Sequence, residues 1–243
     1  MLKDFAAFTR QVGFNQELFD SQKMFAEHVL NDEDLVCIAA RQRGTTTAMI
    51  LLCLYHLSKH KDTKITYFCR DLSAAKWCEL FSRPFRRGVS VSVSFNAKAD
   101  FGLLFCPLRR NIDLTSFQSN IAIFDNIYDD CLDVFDMEKF SDNFGKTIVL
   151  ASVTEDSHWV KRLFARSALG LSKFNNLFLP YWSRNGASII KYNNNINSWG
   201  DESDEDVKRL RKQYKMQNPI SLADVYGDDI KGEMIRCVLK NVL

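Results

Sequence analysis

Leu35-Val-Cys-Ile-Ala-Ala-Arg-Gln-Arg-Gly-Thr-Thr-Thr-Ala-Met-Ile50 is the stretch that decides the fold. It opens as a short apolar run, Leu35 to Ala40. A basic loop bearing Gly44 follows, and then an apolar segment of helical length from Ala48 to Leu57. A strand, a tight loop and a helix in that order can bind phosphate. The loop turns several backbone N–H groups inward, and the helix adds the positive end of its dipole.

The motif for such a P-loop is G-x-x-x-x-G-K-[ST]. Gly44 fills the second glycine position, and Ala39 stands at the first. Thr45 replaces the lysine, and Thr46 supplies the hydroxyl that would reach Mg²⁺. Losing the lysine removes the point charge that bridges the β and γ phosphates. The same residues also suit an ordinary βα turn, so the rest of the chain has to decide between the two.

Downstream, Asn120-Ile-Ala-Ile-Phe-Asp-Asn-Ile-Tyr-Asp-Asp130 reads as a buried strand, Ile121–Phe124, ending in Asp125. An acid at the carboxyl end of a strand beside the loop is where Mg²⁺ is held in phosphoryl-transfer enzymes. Asn126 stands where a water-orienting glutamate is expected. Asparagine hydrogen-bonds a water but cannot take its proton. Asp129 and Asp130 are the nearest alternative carboxylates, and all these acids would equally suit a strand end and a helix cap. Upstream, a helix over about 16–30 carries Gln22. Its amide offers a donor and an acceptor together, as an adenine edge requires; a solvated helix glutamine is the plainer reading.

The remaining pattern predicts an α/β fold, a mostly parallel sheet with helices on both faces. Strands are expected at 35–40, 65–69, 121–124, 147–154 and 176–182, with helices between them. Val89–Phe95 alternates polar and apolar residues and, with Phe101–Cys106, predicts a β-hairpin. Composition changes at 183. Residues 1–182 form the expected core, and 183–243 a linker and small helical appendage. In the appendage, Glu202–Asp206 is acidic and Val207–Met216 basic, which suits a helix dipole.

The 243 residues are 46% hydrophobic and include nineteen Phe, enough for a large aromatic core. A net charge of +2 provides no global field for nucleic acid. DNA contact would rest on patches such as Arg83-Pro-Phe-Arg-Arg87 or Lys208-Arg-Leu-Arg-Lys212. Seven cysteines without a CxxC, mostly inside apolar runs, predict buried thiols in a reducing compartment. His56 and His60 share a helical face but lack the acid of an H-E-x-x-H zinc motif. No signal peptide is visible, and no apolar run approaches the roughly 20 residues that span a bilayer. The expectation is a cytoplasmic protein with no membrane partner.

Taken together, these stations resemble the ATPase domain of the large terminase subunit, the DNA-packaging motor of tailed phages. Ala40-Arg41-Gln42-Arg43-Gly44-Thr45-Thr46-Thr47 is similar to that family's [Ser/Ala]-Arg-Gln-x-Gly-Lys-Thr-Thr. Phe19-Asp-Ser-Gln22-Lys-Met-Phe25 resembles its adenine-binding motif, Ile121–Asn126 its strand ending in Asp-Glu, and Thr147–Thr154 its coupling motif. The resemblance covers roughly residues 15–230. It implies ATP and Mg²⁺ as cofactors, with Gln22, Arg41, Arg43, Gly44, Thr45, Thr46, Thr47 and Ser152 around the nucleotide. Thr46 and Asp125 would hold the metal. Arg41 would stabilise charge on the γ-phosphate and, with Arg43, partly replace the lysine. Catalysis would fall to Arg41, Asp125 and Asn126, impaired by Thr45 and Asn126. The implied partners are double-stranded DNA and a portal or other terminase components, in a homo-oligomeric ring in the host cytoplasm. The family's nuclease domain would lie beyond residue 243. A catalytically inactive terminase-like module that binds DNA or a phage or host protein is the alternative.

Overall fold

Strand β1 (Leu35–Ala39) is buried along its whole length. Leu35, Cys37 and Ala39 face one apolar layer, and Val36 and Ile38 the other. That alternation has the two-residue period of a strand covered on both faces. The computed structural model describes residues 1–14, 18, 20–31, 33–39, 44–96, 101–108, 114–127, 131–132, 134–152 and 158–179. Helices α1 (Leu2–Gln11) and α2 (Asp20–Leu30) precede β1. After it come α3 (Thr45–Lys59), β2 (Lys64–Cys69), α4 (Leu72–Ser82), β3 (Val91–Val93) and β4 (Gly102–Pro107). The remaining elements are β5 (Ser119–Asp125), α5 (Val134–Phe140), β6 (Phe144–Ser152), α6 (His158–Ala168) and β7 (Asn175–Leu179).

Among the described residues the seven strands form one sheet, ordered β3-β4-β2-β5-β6-β1-β7. Every pairing is parallel. The expected α/β architecture is therefore present, with a sheet that is wholly parallel. The β-hairpin expected over 89–106 is not. β3 lies at the sheet edge and runs parallel to β4, with Val91 opposite Leu103 and Val93 opposite Phe105. Alternating polarity marks β3 as a strand with one wet face, but it carries no information about the partner's direction. That direction is set by β2, which β4 joins in parallel register from Lys64–Gly102 to Cys69–Pro107.

The winding reverses around β1. From β1 the chain crosses with α3 to β2, three strands away in one direction. Later α5 and α6 carry it through β6 and β7 in the other. Right-handed crossovers in opposite directions place their helices on opposite faces. Accordingly α1, α2, α3 and part of α4 pack over one layer, and α5 and α6 over the second. Nine residues of α3 are buried, because it is wedged between the sheet and its helical neighbours. In the second layer Phe68 and Phe124, register partners on β2 and β5, stack at 4.6 Å between ring centroids, with Phe117 edge-on to Phe68. Much of the phenylalanine content is accounted for here. The strand reversal leaves a crevice at the carboxyl ends of the strands around β1, where doubly wound sheets take ligands.

Residues 40–43, Asp129, Asp130, Thr154 and 180–243 lie outside the described residues. Arg41, Arg43 and the expected C-terminal appendage are therefore not placed.

Candidate nucleotide site at the carboxyl end of the sheet

Strand periodicity brings the polar residues together. Ile123 faces the α3 layer, so Asp125, two residues on, faces it as well. Tyr67 belongs to the same layer on the adjacent strand, where it pairs with Ile123. A tyrosine one step diagonal from a strand-end acid can reach it. The Tyr67 hydroxyl donates to Asp125 Oδ2 at 2.7 Å.

β6 separates β1 from β5, so the strand that leads into the loop and the acid are two strands, about 10 Å, apart. The second residue of α3 spans that gap. Thr46 Oγ1 donates to Asp125 Oδ2 at 2.9 Å, joining positions 79 residues apart in the chain. Asn126 Nδ2 donates to the other carboxylate oxygen at 2.9 Å. Asn126 itself has φ +54°, a left-handed conformation that asparagine tolerates better than most residues, and its backbone N–H donates to Leu150 O at 2.8 Å.

Asp125 is 8% exposed. Burial pushes its carboxyl above the ordinary aspartate value. The Tyr67 and Thr46 hydrogen bonds and the charge of Arg70 partly reverse that shift. The Tyr67 hydroxyl is pushed well above its usual range by burial and by the Asp125 charge. Burial also raises the Cys37 thiol, which stands level with Asp125 across the sheet, with the Asp125 charge a second cause.

The loop's end is described from Gly44. It is the N-cap of α3 at φ +68°, with no side-chain cap, and the first turn of the helix carries no acid. Gly44 therefore offers no side chain to cap the N-terminal N–H groups, and no acid in the first turn opposes the charge that an anion would meet there. Gln22 is not a solvated helix residue: it is 6% exposed, and its amide donates to Gly44 O at 3.4 Å. A Cβ at position 44 would stand 2.5 Å from Gln22 Nε2, so glycine leaves room for that amide against the loop and meets the positive φ without strain.

Sequence reasoning thus named Gln22, Gly44, Thr45, Thr46, Thr47, Asp125, Asn126 and Ser152, and the structure puts most of them at one end of the sheet. Thr45, Thr46 and Thr47 form the first turn of α3. Ser152 closes β6 opposite Ala39. Tyr67 was missed. In sequence it is one aromatic in an apolar run, and only the parallel register of β2 and β5 gives it a polar partner.

The donor set fits a magnesium-bound phosphate ester. A carboxylate and a hydroxyl sharing one point are hard oxygen ligands, and a helix N-terminus that begins at a glycine and carries no acid in its first turn suits an anion beside them.

No protein-family model matches the chain, and no curated protein sequence matches it. Among solved structures, it is similar in fold to a hypothetical ATP-dependent RNA helicase from Sulfolobus tokodaii. The TM-score is 0.48 and the identity 14%, over 73% of this chain and 57% of that one. Two structures of a Sulfolobus solfataricus SWI2/SNF2 ATPase core also align. The core domain has TM-score 0.44 and 16% identity over 56% of this chain and 31% of that one. The core in complex with dsDNA has TM-score 0.39 and 15% identity over 56% and 32%. The chain spans from just under a third to somewhat over half of these proteins' lengths. The topology defines the class: an α/β protein with a wholly parallel sheet covered by helices on both faces. Among the described residues, no helix is long and apolar enough to cross a membrane.

Proposed function

We propose that the crevice around the start of α3 binds Mg²⁺ and ATP, and that hydrolysis there is slow. One observation carries this reading: the hydrogen bond from Thr46 to Asp125, which joins the two expected metal-binding oxygens across the sheet at 2.9 Å. Thr46 Oγ1 and Asp125 would hold the cation, the N–H groups of the first turn of α3 would hold phosphate, and Gln22 would stand against the loop on the adenine side. Arg41 and Arg43 would supply positive charge in place of the missing lysine. The bound cation would neutralise charge on the phosphates.

Slow turnover follows from Thr45 and Asn126. Each absent group that stabilises the transition state typically lowers the rate by about 10²–10³. Asn126 moreover donates from its amide to Asp125 Oδ1, which a glutamate's carboxylate could not do. This favours a second reading, a module that binds nucleotide without turnover and acts on DNA or a partner protein. The packaging role rests on the order of the motifs around Gln22, 40–47, 121–126 and 147–154, and double-stranded DNA is its expected partner.

The test is calorimetric titration of the chain with Mg-ATP, then phosphate release with and without double-stranded DNA, repeated for Thr46→Ala and Asp125→Ala. Magnesium-dependent binding lost in both variants supports the site. DNA-stimulated release supports the motor, and binding without release the second reading. Absence of binding at about 1 mM ATP, a standard free energy weaker than about −4 kcal/mol, overturns both.

A further inference from the structure

Helix α4 turns an aromatic and cationic face to solvent. Lys76, Trp77, Leu80, Arg83 and Pro84 recur at three- and four-residue spacing along α4 and the tighter turn that continues it, Arg83–Phe85. All five are exposed, Trp77 at 50% and Leu80 at 57%. The helix does not need them for its own packing, because Ala75, Cys78 and Ser82 bury the opposite face. Trp77 is nonetheless held in place. Its ring stacks on Phe81 at 5.5 Å with 12° between the planes, and Phe81 leads through Phe85 to Phe14. An aromatic side chain ordered in advance is a suitable anchor for a partner.

The sign of the surrounding charge is fixed. Residues 76–87 carry four cations, Lys76, Arg83, Arg86 and Arg87, against one carboxylate, Glu79. Glu79 is engaged by Arg83 and Arg86, and the Arg87 guanidinium donates to Gln11 O. Lysine and arginine stay charged near neutral pH, so the excess does not depend on titration. A cationic rim around an apolar centre suits an acidic segment with an apolar anchor. Leu80 and Pro84 give a nucleic-acid backbone nothing to bond with, which favours a peptide.

The chain itself contains such a segment. Residues 199–206, Trp-Gly-Asp-Glu-Ser-Asp-Glu-Asp, hold five acids in their last six positions and a tryptophan ahead of them. They lie outside the described residues. β7 ends at Leu179 on the sheet edge opposite β3, about 29 Å away across the strands. The 21 residues of 180–200 reach at most about 70 Å, which is ample. Tethering raises the local concentration of the segment above that of a free partner.

We propose that residues 199–206 dock on this face of α4, with Trp199 against Trp77 and Leu80 and the acids along Lys76, Arg83 and Arg87. The basic run 208–212 competes for the same acids, so the apolar contact decides the docking. The contact stands whether or not the crevice at the start of α3 takes nucleotide.

The experiment treats the full chain with a water-soluble carbodiimide, which joins an amine to a touching carboxylate, and maps the amides by peptide mass spectrometry. Light and ¹⁵N-labelled chains are mixed in equal amounts at about 1 µM, so that links within one chain are told from links between chains. Lys76 is expected to join Asp201, Glu202, Asp204, Glu205 or Asp206 of its own chain. Trp77→Ala with Leu80→Ala, both at exposed positions, is expected to lower that yield about fivefold while the melting transition is retained. About 0.5 M NaCl is expected to lower it as well. Absence of a link from Lys76 to 201–206, a yield unchanged by the double variant, or links that join light to heavy chains would overturn the proposal; the last would assign the face to a second copy.

Discussion

Asp125 and Lys146 are buried charges at opposite ends of the same sheet, 8% and 9% exposed, yet they are held in different ways. Asp125 is held by side chains: the hydroxyls of Thr46 and Tyr67 and the amide of Asn126. Among its contacts with described residues, Lys146 donates to backbone, the Val29 and Asn31 carbonyls at the end of α2. A hydroxyl can rotate and exchange one partner for a cation or a water. A helix-terminal carbonyl cannot move without its helix. Burial alone therefore does not mark a functional charge; the exchangeability of its partners does. On this criterion Asp125 belongs to a site and Lys146 to the scaffold.

The largest expected effect breaks the comparison at the scaffold end. Lys146→Met leaves two helix-end carbonyls without their cation and should lower stability by about 3 kcal/mol, measured by urea unfolding. Nucleotide binding by the folded fraction should be unchanged. A loss below about 0.5 kcal/mol would show that Lys146 is not a staple.

Next in size is restoring the missing groups. Thr45→Lys with Asn126→Glu should raise ATP turnover by about 10²-fold or more, read as phosphate release. Asn126→Glu alone should also destabilise by about 1 kcal/mol, because glutamate enters a left-handed backbone position beside a second carboxylate. No gain in turnover from the double variant would mean that the crevice is not arranged for hydrolysis.

Gly44→Ala places a methyl against the Gln22 amide at a positive φ. A destabilisation of about 1–2 kcal/mol is expected, with weaker ATP binding. Tyr67→Phe is the smallest: about 1 kcal/mol lost from a buried hydrogen bond, with the Asp125 carboxyl pushed further up.

The pH dependence sharpens the same contrast. The Asp125 folded-state pKa lies above its unfolded value, so its contribution to stability is fully present below the unfolded value and is lost as pH rises through the folded one. Asp125→Asn should remove that part of the stability profile. Mg²⁺ binding requires the ionised carboxylate. It should therefore weaken on acidification at a higher pH than an ordinary aspartate would give, as measured by titration with Mg-ATP.

Much of the carboxyl-end site was legible in the chain, because each of its parts is a local signal. Gly44 marks the helix start, Thr46 follows it, and Asp125 ends an apolar run. The register that makes them one cluster was not legible, nor was Tyr67, whose polar role depends on its neighbour in space.

By itself the sequence determined the elements and their class. Short, continuously apolar runs bounded by turn residues match strands buried on both faces, and runs separated by helical segments match a parallel sheet. Tertiary structure alone decided strand order, the parallel direction of β3 and β4, and which polar residues meet. Hydrophobic patterning is local, whereas pairing is a choice among partners distant in the chain, made by the packing of the whole sheet between its two helical layers.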